Sequence, residues 1–167
     1  MKFFNTAGPV NQDDHYKIDP LARWDMEEVL VLVRQKKYFS LHAPRQTGKT
    51  SSLLALRDYL NAGDDFHCIY ANFEAGQAAR HNIASGIAAV LSHLHDRACS
   101  VLGADFLDFD ERDVLDSTDP NEALGAYLAR LCEAADKPIV LLIDEIDSLV
   151  GDTLISVLRQ LRSRYDS

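Results

Sequence analysis

Ala43-Pro44-Arg45-Gln46-Thr47-Gly48-Lys49-Thr50 is the stretch on which the fold turns. A small residue, four free positions and then Gly-Lys-Thr make up its pattern, with Ala43 standing where a glycine is usual. Before it, Tyr38-Phe39-Ser40-Leu41-His42 reads as a short strand. After it, the run from Ser51 to Leu60 reads as a helix. Strand, tight loop and helix in that order is the setting in which the pattern carries chemical meaning.

That meaning is the holding of a polyphosphate. Several negative charges must be gripped without bulk, and backbone N–H groups at the positive end of a helix dipole do so. Gly48 lets the backbone approach closely. Lys49 supplies a charge for the β- and γ-phosphates, and the Thr50 hydroxyl suits Mg²⁺. Ser51 adds a contact near the α-phosphate. Residues Ala43, Pro44, Arg45, Gln46, Thr47, Gly48, Lys49, Thr50 and Ser51 are therefore the candidate nucleotide-binding set. The Ala43 methyl restricts φ at its position, a mild departure. The competing reading is a chance match on a strand–helix turn, and the flanking elements argue against it.

A second run supports the first. Pro138-Ile139-Val140-Leu141-Leu142-Ile143-Asp144-Glu145 is continuously apolar and ends in two acids. Such a run suits a strand buried on both faces of a parallel sheet. Ligands bind at the carboxyl ends of such strands. Asp144 would hold Mg²⁺ through water, and Glu145 would orient and deprotonate an attacking water. Taken alone, the run would read as a buried strand ending in a solvated turn. Paired with the phosphate loop, that becomes the weaker reading.

The 167 residues suffice for one domain with a substantial core. With 47% hydrophobic and 26% charged residues, the composition is that of an ordinary globular protein. A net charge of −9 and a pI near 5.0 argue against a broad nucleic-acid-binding face, leaving only a local basic patch open. No run approaches a membrane span, and Met1-Lys2-Phe3-Phe4-Asn5 begins no signal peptide. Cys68, Cys99 and Cys132 are odd in number and far apart, which points to reduced core thiols in a cytoplasmic protein.

In chain order, residues 1–24 read as an extended leader on a core formed by residues 25–167. Asp25 and Glu28 suggest a capping box opening a helix over 26–37. Residues 66–73 read as a second strand, and a long helix is expected over 78–101. Residues 103–118, with five Asp and one Glu, read as a solvated loop. Asp119 and Pro120 open a helix running to about 136, and a last helix covers 152–165 with Leu154, Val157, Leu158 and Leu161 inward. The expected fold class is α/β: a parallel sheet with three main strands and helices on both faces.

Both motifs together resemble an AAA-like P-loop ATPase, near the AAA+ and STAND groups, in the class with a catalytic glutamate beside the metal-binding aspartate. The leader, Phe3-Phe4-Asn5-Thr6-Ala7-Gly8-Pro9-Val10 followed by His15-Tyr16, also resembles that family's N-terminal segment. The resemblance implies ATP and Mg²⁺ as ligands, with adenine preferred to guanine. It makes Glu145 and Lys49 catalytic, Thr50 and Asp144 metal-holding, and Gly8, Pro9, Val10 and Tyr16 candidates for touching adenine. It further implies a sensor strand and a lid beyond Ser167. On that basis the sheet should be incomplete, with residues 38–42 a strand's width, roughly 10 Å, from residues 138–143, and the strands at 67–72 and 138–143 should pair in parallel. These residues alone should then be poorly soluble or inactive, and a longer chain should restore both properties.

The activity implied is Mg²⁺-dependent ATP hydrolysis that drives a conformational switch in a larger protein, acting with a protein partner or neighbouring subunit. Two alternatives stand beside it: a nucleotide-binding signalling scaffold that hydrolyses little, and a DNA-associated loader or motor. Lesser candidates are Glu74, near the active-site water or merely capping a turn, and Arg159, Arg162 or Arg164 as an arginine finger or a solvated helix face. Asp147 is expected to cap the turn after Glu145, and His93 and His95, two apart, do not share a helix face.

Overall fold

The computed structural model describes residues 3, 14, 18–42, 44, 47–103 and 106–163. The chain divides into two compact units, residues 1–56 and 57–167. The helix after the phosphate loop passes from one into the other.

In the first unit, a 3-10 turn spans Pro20–Arg23, with the Asp19 carboxylate accepting from the Leu21 N–H at 2.9 Å. Helix α1, Met26–Arg34, opens as expected: Asp25 accepts from the Glu28 N–H at 3.1 Å. Val29 and Val33 are its buried positions. The helix stops earlier than the charge pattern suggested. The Lys36 N–H donates to the Val33 carbonyl and the Lys37 N–H to the Leu32 carbonyl, both at 3.0 Å, which closes a Schellman motif. The left-handed position of that motif, ordinarily a glycine, is Lys36 with φ of 56°. A side chain there costs about 1 kcal/mol or more. We expect Lys36→Gly to stabilise the fold by about 1 kcal/mol despite the greater freedom of glycine in the unfolded chain. A thermal melt checks this, and a lowered midpoint would refute it.

The expected strand at 38–42 is not formed. The sheet among the described residues has two strands, and neither includes this run. Tyr38 and Leu41 are exposed and only Phe39 is half-buried. A strand exists through its ladder, and residue type alone supplies no neighbour. Helix α2 then runs Lys49–Asn61.

In the second unit, strands β1, His67–Asn72, and β2, Ile139–Asp144, pair in parallel from His67 opposite Ile139 to Asn72 opposite Asp144. This pairing was expected. One face carries Ile69, Ala71, Ile139, Leu141 and Ile143 into the core, because alternate residues share a face. The other face carries Cys68, Tyr70, Leu142 and Asp144. Asn61 clamps the start of β1: its side chain donates to the Cys68 carbonyl at 2.8 Å and accepts from the Cys68 N–H at 2.7 Å.

Helix α3, Ile83–Leu102, starts five residues later than expected, because Phe73–Ala79 forms 3-10 turns and Asn82 supplies the cap. Its buried line is Ile87, Val90, Leu91, Leu94 and Ala98. The acidic stretch contains a helix, α4, Glu111–Ser117, where a loop was expected. Asp110 and Asp113 make a reciprocal capping box, and Val114 is wholly buried. The acids there terminate a helix as well as solvate the surface. Helix α5, Pro120–Ala134, starts on Asp119, which accepts from the Asn121 N–H at 2.8 Å. Helix α6 spans Gly151–Ser163. It buries Val157 and half-buries Leu154 and Leu161, but leaves Leu158 exposed, contrary to expectation. Three buried polar residues, Thr153, Ser156 and Gln160, take inward positions instead. Thr153 sits where a Cβ on Gly86 would come within 2.4 Å of its methyl, so α3 and α6 meet at a glycine. Of the three thiols, Cys68 is buried, Cys99 half-buried and Cys132 exposed, so only Cys68 is strictly a core thiol. Burial pushes the Cys68 thiol up to about 12.

Candidate functional site

The candidate residues fall in two places, each described by itself. The first is the amino end of α2. The helix starts at Lys49, and the Ser52 N–H donates to the Gly48 carbonyl at 2.9 Å. Lys49, Thr50 and Ser51 occupy its first turn, at the positive end of the helix dipole, where an anion is favoured. Gly48 has φ of 84°, a conformation side chains resist. The backbone conformation by itself thus favours glycine there. The loop is braced by the Thr47 hydroxyl, which donates to the Pro44 carbonyl at 2.7 Å.

Two residues not singled out from the sequence complete the brace. The Arg23 guanidinium donates to the Thr47 carbonyl at 2.9 Å, and the Ser52 hydroxyl donates to the Pro20 carbonyl at 3.3 Å. The turn Pro20–Arg23 is thereby tied to the loop. Nothing local in the sequence signals contacts made over 24 and 32 residues. Ala43, Arg45 and Gln46 lie outside the described residues, as do Gly8, Pro9, Val10, Tyr16 and Arg164.

The second place is the carboxyl end of β2. Asp144 is 6% exposed. Its Oδ1 accepts from the Glu145 N–H at 3.1 Å, and its Oδ2 accepts from the Tyr70 hydroxyl at 3.0 Å. A donor on each oxygen orients the carboxylate, and a carboxylate offers about four lone-pair positions in all. That donor chemistry fits a carboxylate holding a hydrated divalent cation. Burial first, then the bond to Asp144, pushes the Tyr70 phenol well above its ordinary value, so it stays a donor.

Glu145 is exposed and left-handed, with φ of 54° and ψ of 32°. A glutamate in that conformation is uncommon and strained, and such strain clusters at working sites. Its carbonyl accepts from the Ser148 N–H at 3.0 Å, closing a 3-10 turn over Ile146–Ser148. Glu145 occupies the cap position of that turn, while Asp147 lies inside it, against expectation.

Glu74 sits just past β1, and its N–H donates to the Asn72 side chain at 2.8 Å. The capping oxygen is thus that of Asn72. Glu74 also lines an open cavity of ≈490 Å³ with Tyr70, Asn72, Ala75, His93 and Arg97. His93 Nε2 is buried without a hydrogen-bond partner, and burial lowers the pKa of that ring. His95 is held elsewhere: its Nδ1 is 3.1 Å from the Tyr127 hydroxyl and its Nε2 is 3.4 Å from Cys99 Sγ. Arg159 and Arg162 lie on exposed positions of α6.

No helix among the described residues is long and apolar enough to cross a membrane. Comparison with curated proteins and with solved structures returns no significant match. A family model does match, that of the AAA domain, over residues 33–167, a span that contains the phosphate loop and the Asp144-Glu145 pair. With the phosphate-loop turn, the parallel strand pair and this match in hand, the chain belongs to the AAA domain family and carries its P-loop nucleotide-binding domain.

Proposed function

We propose that this domain binds ATP with Mg²⁺, hydrolyses it, and converts the hydrolysis into a conformational switch within a larger protein. The observation that carries the reading is the amino end of α2: a left-handed Gly48 turns the chain into a helix that opens on Lys49, so Lys49 and Thr50 lie at the positive end of its dipole. Lys49 is assigned to the β- and γ-phosphates, with the backbone of residues 43–51 around the rest. Thr50 and Asp144 would hold the cation, which when bound would neutralise charge on the transferring phosphoryl group. Glu145 is the base that takes the proton of the attacking water. Three unbridged cysteines accord with a cytoplasmic setting.

Lys49→Ala tests the reading. A charge-assisted hydrogen bond is worth about 1.5–3 kcal/mol, so ATP affinity should fall at least roughly tenfold. Calorimetry checks it, and undiminished affinity would remove Lys49 from the site. Turnover measured with and without DNA separates the alternatives. Stimulation by DNA would favour a loader or motor, and tight binding with negligible turnover would favour a scaffold.

A further inference from the structure

We propose that the outer edge of β1 is a docking groove for an extended peptide, which adds as a further strand and presents an acidic side chain to Arg97. All the residues concerned lie in the second unit, and no nucleotide is needed. The direction of the backbone groups follows from the register. In a parallel ladder the N–H and C=O of one residue point to the same side, and the side alternates along the strand. The His67 N–H donates to the Pro138 carbonyl at 3.0 Å, so His67, Ile69 and Ala71 face β2. Cys68, Tyr70 and Asn72 face the other edge. Asn61 fills the first of these rungs through its two bonds to the Cys68 backbone. At the next rung no described residue bonds the Tyr70 N–H or C=O from that side. An open rung on an edge strand is a template for another chain.

Beside that rung lies the open cavity of ≈490 Å³ lined by Tyr70, Asn72, Glu74, Ala75, His93 and Arg97. His93 and Arg97 are four residues apart on α3 and so share one face of it. The groove is thus bounded by an edge strand and a helix, an arrangement in which main-chain bonds give affinity and flanking side chains give specificity. Arg97 is exposed and makes no ion pair among the described residues. Its charge acts on both Tyr70 and His93. Glu74 stands just past the end of β1, so the matching segment carries an acid for Arg97 and a base further along. His93 Nε2, buried in the wall without a hydrogen-bond partner, is the kind of group that a polar atom of a bound chain satisfies.

The probe is a capped, fluorescein-labelled peptide, Thr-Val-Glu-Val-Lys-Val-Thr, whose residues favour an extended strand. It is titrated by anisotropy into the full chain. We expect saturable binding that Arg97→Glu weakens about tenfold or more, with an unchanged thermal melt. A peptide with Lys in place of its Glu should recover affinity for that variant. Amide hydrogen exchange at Tyr70 should slow when the first peptide binds. No saturable binding, equal binding by wild type and Arg97→Glu, or an unprotected Tyr70 amide would each overturn the proposal. Self-association of the protein that protects the same amide would give the edge to a second copy of the chain and overturn the peptide as its occupant.

Discussion

Glu145→Gln should slow ATP turnover by about 10²–10⁴-fold and leave ATP affinity near that of the wild type. Glutamine keeps the shape of the side chain but cannot accept the proton of the attacking water. It also leaves the backbone question untouched. Residue 145 is left-handed, and glutamate and glutamine both bear that strain, so the comparison isolates the carboxylate. Steady-state phosphate release with parallel calorimetry checks the outcome. Unchanged turnover would remove Glu145 from the chemistry. If instead Asp144→Asn spares Mg²⁺-dependent binding and Glu145→Gln abolishes it, the two acids have exchanged roles.

The largest effect on stability is expected at Gln160, which is 4% exposed on α6. Its Oε1 accepts from the Leu124 N–H at 2.8 Å and the Gly125 N–H at 3.2 Å. Its Nε2 donates to the Pro120 carbonyl at 3.1 Å and to the Ser156 hydroxyl at 3.0 Å. One side-chain amide thus bonds three backbone groups in the first turns of α5, in addition to the helix's own bonds. Gln160→Met fills the same space and satisfies none of them. The α5 groups keep their intrahelical partners, and a net hydrogen bond is worth about 0.5–1.5 kcal/mol, so losing the four bonds of the amide should cost about 2–4 kcal/mol. Urea unfolding at constant m-value measures it. A loss under about 0.5 kcal/mol would mean that the amide adds little to the helix's own bonds.

Gln160 also shows why part of the fold was illegible. On a helical wheel it looks like a solvated polar residue, and Leu158 looks like core; in the structure Gln160 is buried and Leu158 is exposed. The identity of the facing surface decides, and that surface is the opening of α5, distant in sequence. Likewise, the acids of residues 103–118 read as solvation because a capping box matters only once a buried Val114 gives the helix something to pack on. Local chemistry was read well where its partner is local. Asp25, Asp119 and the Gly48 turn act within a few residues of themselves.

By itself the sequence determined the Gly48 turn, the caps at Asp25 and Asp119, and the acidic-ended strand, while that strand's parallel partner followed from the family resemblance. The first three rest on residue type at short range: a glycine at a left-handed turn, a cap, an unbroken apolar run. Only the tertiary structure decided that residues 38–42 stand outside the ladder, that Arg23 and Ser52 brace the loop, and that Tyr70 holds Asp144. A ladder and a long-range hydrogen bond need a second group at a set distance, and the fold alone brings groups 74 residues apart, as Tyr70 and Asp144 are, to 3.0 Å.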